Sequence, residues 1–182
     1  MRSQPGWLAT AIIGLVLITE SPLAHAAATL TLADFVGHFH GEAMVEADDR
    51  FFVHQLRDAD VDIRAEADGF KLSWTTVIHF DASDEEKVRR RTADMRFVAG
   101  PNARQFRTPE PLEPFAEKPT GWAYIDHDTL VVHVLSVLAD GNYELQTYER
   151  SLSGNVMTLH FFRVFPGRPE LVVSGRLRRQ PE

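Results

Sequence analysis

The amino-acid sequence predicts an all-β chain, an antiparallel up-and-down meander barrel of about 8–10 strands led by one short helical turn. Three observations predict it. Apolar and polar side chains alternate with a period of two, tight-turn residues separate the alternating runs, and short connections join each run to the next. A two-sheet sandwich is the alternative, although sandwiches usually need Greek-key crossings between their sheets.

In chain order, Leu30 to Gly37 is set for one helical turn closing at Gly37, because glycine takes positive φ past a helix end without penalty. Strands are expected at Phe39 to Glu46 and Phe51 to Arg57. The clearest alternation follows: Phe70, Leu72, Trp74, Thr76, Ile78 and Phe80 share one face, and Lys71, Ser73, Thr75, Val77 and His79 the other. Before it, Val61, Ile63 and Ala65 oppose Asp62, Arg64 and Glu66. Asp68-Gly69 between the two runs supplies the positive φ angles of a tight hairpin.

Lys87 to Val98 and Trp122 to Asp126 are further strands. Between Gly100 and Gly121, Pro101, Pro109, Pro111, Pro114 and Pro119 deny ladder donors and predict a long loop, with a short edge strand near Phe106. The C-terminal third is a meander: Thr129 to Leu138, Tyr143 to Leu152, Val156 to Phe165 and Glu170 to Arg178. Asp140-Gly141, Ser153-Gly154-Asn155 and Pro166-Gly167 make its turns.

The first residues have the organisation of a cleavable signal peptide. Arg2 is followed by an apolar run from Trp7 to Ile18, and Ala24-His25-Ala26 fits a small-x-small cleavage site. That run is shorter than the roughly 20 residues of a spanning helix, so no stable membrane insertion is expected. The expectation is a signal over 1–26, cut near Ala26 or shifted to Ala28, and a single domain over 27–182 located in the periplasm or secreted. With no cysteine in the chain, neither disulfide staples nor a lipidated cysteine is available, and thiol chemistry is excluded. A formal net charge of −7 argues against nucleic acid as a partner, since phosphate binding needs clustered Lys and Arg.

The pattern resembles the lipocalin-like, or calycin, barrels. The residues that carry the likeness are the helical turn before the first strand, Gly37-x-Phe39 at the start of that strand, and Arg176 and Arg178 on the last one. Such barrels commonly have Gly-x-Trp at that place, with a late arginine packing across the tryptophan; here Phe39 stands instead. The resemblance implies a cup holding a small, largely apolar molecule. The chain also resembles exported proteins of Gram-negative bacteria, a likeness that implies no function.

Residues expected to point inward include Phe39, Ala43, Val45, Phe70, Leu72, Trp74, Ile78, Met95, Phe97, Met157, Leu159 and Phe161. Gly41, Ala43, Ala65 and Ala93 either leave room for a ligand or serve as small partners in a filled core. Polar residues on these apolar faces are the sharper signal, because burying one unpartnered costs about 1–3 kcal/mol. Arg163 continues the face of Met157, Leu159 and Phe161. Gln146, Tyr148 and Arg150 share a face, and Arg89 and Arg91 share that of Ala93, Met95 and Phe97. Such arginines at a barrel mouth suit a carboxylate or phosphate; alternatively they pair with acids such as Glu149 and Asp94. Trp74 and Trp122 are the expected aromatic walls.

Catalytic and metal signals are weak. His38 and His40 lie on one strand face, suited to a metal if His54 joined them, or else form a surface pair. Tyr124, Asp126, His127 and Asp128 cluster at a strand end, where Asp126-His127-Asp128 also reads as a hairpin turn. Ser151, Ser153 and Ser174 lack a nucleophile-elbow setting. The sequence points to no cofactor, no metal site and no catalytic residue. The leading expectation is therefore an exported barrel that binds or carries a small apolar or amphipathic ligand, with Trp74, Trp122, Tyr148, Arg150, Arg163, Arg89 and Arg91 as its contacts. The alternative is a filled barrel recognising an envelope protein through Phe51-Phe52, Phe161-Phe162 or the proline-rich loop. An isomerase or hydrolase in the same cup would need a perturbed acid or base that the sequence does not identify.

Overall fold

The computed structural model describes residues 29–46, 56–79, 88–111, 113, 118–168 and 170–181. The expected signal segment over 1–26, Phe51-Phe52 and His54 lie outside them. A short helix, α1 (Leu32–Phe35), precedes ten strands: β1 (Gly37–Glu46), β2 (Leu56–Glu66), β3 (Gly69–His79), β4 (Val88–Ala99), β5 (Gln105–Arg107), β6 (Thr120–Asp126), β7 (Thr129–Val137), β8 (Tyr143–Ser153), β9 (Val156–Val164) and β10 (Leu171–Arg179). Each strand pairs antiparallel with its neighbours in sequence, and β10 pairs back onto β1, so the sheet closes into a meander barrel. Closure removes the sandwich alternative. Among the described residues no helix is long and apolar enough to cross a membrane.

Two sequence expectations change. The run before Asp68-Gly69 begins at Leu56, so β2 is one strand that includes Arg57 and its pairing with Ile78. The segment Asp58 to Asp62 joins the two expected runs and alternates. Its aspartates face outward, where Asp58 meets His79 at 2.9 Å and Asp62 meets Arg64 at 2.6 Å, while Ala59, Val61 and Ile63 are buried. The strand near Phe106 is not an edge either. β5 pairs with β4 at Val98 and Ala99 and with β6 along its whole length. Above β5 the wall is closed by side chains: Met95 and Phe97 of β4 reach Gly121 of β6, where a Cβ would stand 2.9 Å from Met95 Cε. Gly121 has no side chain because β4 and β6 meet there.

One end of the barrel is plugged. Asp34 accepts hydrogen bonds from the Thr31 N–H (2.7 Å) and hydroxyl (2.8 Å), capping α1. These bonds hold its carboxyl below the usual range. The helix drives Phe35 into the floor, fully buried against Phe39, Ile63 and Leu177. The arginine that crosses Phe39 is Arg179, with Cζ 4.5 Å from the ring centroid and its guanidinium donating to the carbonyls of Val36 and Asp34. Arg176 and Arg178, expected in that role, are exposed on the outer face. With Leu177 buried inside, the two-residue period sends 176 and 178 outward and 179 inward. Phe70 stacks on Phe97 at 4.9 Å and meets Phe106 edge-on at 5.1 Å within the buried floor. Each fully buried aromatic or aliphatic side chain there contributes about 1.5–3 kcal/mol.

Candidate functional site

Above this floor several inward positions become small or polar, and the barrel holds a cavity. The cavity has a volume of ≈ 510 Å³. Its apolar wall comes from Ala43, Ala59, Val61, Trp74, Ile78, Ala93, Leu159, Phe161, Leu171 and Val173, and its polar lining includes Arg57, Asp60, Thr76, Arg91, Gln146, Tyr148, Arg150 and Arg163. Every one of these belongs to a strand, because inward parity on β1 to β4 and β8 to β10 converges at this height. Gly41 and Gly175 let β1 and β10 approach closely, a Cβ on Gly175 standing 2.7 Å from that of Ala43. Of the four small residues with two possible roles, Ala43 and Ala93 line the cavity, Gly41 packs on the β10 backbone, and Ala65 is exposed at the plugged end.

Three aromatic rings form a continuous surface in the cup. Trp74 and Tyr148 have centroids 5.2 Å apart, and Tyr148 and Phe161 4.7 Å. The Tyr148 hydroxyl donates to Gln146 Oε1 at 2.7 Å, and Gln146 Nε2 donates in turn to the Glu144 carboxylate. Burial pushes the Tyr148 phenol up to about 12, so it remains a neutral donor.

The arginines are the unusual part. Arg150 is 1% exposed, and its guanidinium lies 4.9 Å from the Tyr148 ring centroid. Its Nε and Nη1 are buried and find no acceptor among the described residues, and the same holds for Nε of Arg57 and of Arg163. Burial pushes Arg150 down to about 10, still charged at neutral pH. Arg57 is lowered as well, by burial first and then by the charges of Arg91 and Arg163. Buried donors and charges left in this state are costly. They mark places where an anion would be bound strongly.

Five of the seven candidate ligand contacts are thereby brought together: Trp74, Tyr148, Arg150, Arg163 and Arg91. Arg89 and Arg91 share a face and both are exposed, but Arg91 lines the cavity while Arg89, nearer the strand's start, lies outside it. Trp122 stands on the opposite side of the wall. Gly121, Ala123 and Ile125 occupy the inward positions of β6, so Trp122 points out, stacked on His133 at 4.8 Å. Its aromatic character, not its place in the alternation, suggested a wall. Sequence reasoning missed Arg57, although counting back by twos from Val61 would have placed it inside.

The other polar signals resolve outside the cup. His38 and His40 both meet Asp60 Oδ1 on the outer face, at 3.2 and 3.0 Å. Among the described residues no three metal-ligating side chains converge. His127 and Asp128 form the β6–β7 turn, with His127 at φ 52° and its Nδ1 2.7 Å from Asp126. Ser174 Oγ lies 2.9 Å from His160 Nδ1 and Ser151 Oγ 2.8 Å from Thr129 Oγ1. Ser174 and His160 sit on the outer sheet face, away from the cavity.

Fold and site together define a closed barrel of lipocalin-like architecture with one plugged end and an arginine-lined cup. Among solved structures the chain is similar to the S-type phycobiliprotein lyase CPES from Guillardia theta. The two share 12% identity with a TM-score of 0.51, over 83% of this chain and 91% of that one. At that identity the likeness carries the fold alone. No protein-family model matches the chain, and no curated protein matches it in sequence.

Proposed function

We propose that the protein is an exported carrier or binding module whose cup holds a small amphipathic ligand with an acidic group. The observation that carries this reading is the unpartnered, buried Arg150 guanidinium at the base of a cavity walled by Trp74, Tyr148 and Phe161. The volume lies within the roughly 300–1,000 Å³ range of small-molecule pockets. Binding works by desolvating the apolar body against the aromatic rings. The acid meanwhile takes paired N–H donors that otherwise have no acceptor. The likeness to a phycobiliprotein lyase supports this reading through its architecture only.

The test uses dodecanoic acid as probe, in Trp122→Phe protein so that Trp74 reports from the cup. Saturable change in its emission, with native mass spectrometry showing a one-to-one complex, is the expected result. No change up to millimolar probe would remove the reading. Export to the periplasm or beyond, in the manner of the Gram-negative exported proteins that the chain resembles, belongs to the same proposal and is supported by the signal pattern over 1–26. Mass measurement of envelope material should then find Ala27 at the N-terminus, whereas full-length chain in the cytoplasm would contradict export.

A further inference from the structure

The cup holds more positive charge than one acidic group neutralises, and holds it at two heights. Arg150 lies on β8 opposite Leu159, where the packed floor ends. Tyr148 beside it gives its hydroxyl hydrogen to Gln146, so the guanidinium lies against the phenol's ring face, and its buried Nε and Nη1 find no acceptor among the described residues. The second group sits higher. Arg163 on β9 faces Gln146, four residues from Arg150 along β8, a separation of roughly 13 Å of strand at about 3.3 Å per residue. Arg57 and Arg91 line the wall at this upper level with Arg163, and each of the two neighbours adds to the cost of charge on Arg57.

Among the described residues, the acids near the cup already have partners. Asp60 turns outward to His38 and His40, and Glu144 accepts from Gln146. A ligand with a single anionic group would satisfy one height and leave the other with buried N–H donors unmet. Between the two heights lie Trp74, Tyr148 and Phe161, an apolar surface that asks for an apolar span.

We propose that the ligand is a two-headed acid: an amphipathic molecule with an acidic oxygen group, carboxylate or phosphate, at each end of an apolar middle. One end sits on Arg150 and the other on Arg57, Arg91 and Arg163. The inference rests on the ligand-cup reading above and specifies the chemical class of what enters it.

The experiment compares three probes of one chain length by calorimetry on the mature protein: dodecanedioic acid, dodecanoic acid and 1-dodecanol. A merely apolar cup would prefer the monoacid, since a second carboxylate is costly to desolvate. The two-seat cup should instead bind the diacid about tenfold or more tighter than the monoacid, a difference of at least ~1.4 kcal/mol. Arg163→Gln should remove the diacid's advantage while leaving dodecanoic acid within about threefold of its original affinity. Bis-phosphate and dicarboxylate probes of equal span then separate the two head groups. Monoacid binding as tight as diacid binding would overturn the second seat and leave the cup reading standing. Absence of binding by all three probes would overturn both.

Discussion

The plugged and open halves of the barrel share one strand set and one inward parity, yet they solve opposite problems. Below, Phe35, Phe39, Phe70, Phe97 and Met157 are fully buried in the interior. Above, the same strands contribute Ala43, Arg57, Ala93, Gln146 and Arg163, and the interior stays open. The lower half therefore supplies the stability that the upper half gives up. Its packing offsets the cost of keeping Arg150, and the Nε groups of Arg57 and Arg163, buried without acceptors among the described residues. A filled barrel would need none of these arginines.

The largest effect that would break this contrast lies in the floor. Phe70→Ala removes a ring stacked on Phe97 and met by Phe106, and should cost about 3–5 kcal/mol in urea unfolding. Next comes Arg150→Met. If the guanidinium serves a ligand and not the fold, the substitution should raise the stability of the ligand-free protein by about 2 kcal/mol while abolishing acid binding. A loss of stability would instead make Arg150 part of the floor. Ala93→Leu, opposite Trp74, should change stability by less than ~1.5 kcal/mol. It should nonetheless weaken dodecanoic acid about tenfold by occupying the cup, whereas Trp122→Ala on the outer face should leave affinity unchanged.

The smallest effect is a titration outside both halves. Burial holds His133 below its usual 6.5, with Glu149 partly opposing. The folded state thus favours the neutral ring, and the unfolded chain binds more protons between the two values. The contribution is present above about pH 6.5 and is lost as pH falls through the lower folded value. Melting temperature should drop between pH 7 and 5 more in the natural chain than in His133→Phe. Equal drops would mean that His133 is not the titrating group.

Much of this was legible because the code of a strand is local. All twelve residues expected inside are inside, Trp74, Met95 and Phe161 partly buried and the rest buried. Where sequence reading erred, it set parity aside for residue character. Trp122 was placed in the cup for being aromatic, and Arg176 and Arg178 were matched to a motif although Leu177 between them fixes their direction. Parity also could not separate Arg89 from Arg91, since both point inward and only the height of the cavity divides them.

What the sequence determined by itself is the alternation, the turns and thus the meander, because side-chain direction and turn chemistry depend on a few consecutive residues. It also placed arginines on inward faces. Tertiary structure decided which of them meet, that Arg150 ends at the floor without an acceptor, and that the barrel is full below and hollow above. Those facts depend on how ten strands are staggered around a closed sheet. Stagger is fixed by packing between strands distant in sequence, such as Gly41 and Gly175 at the β1–β10 closure, and no local pattern contains it.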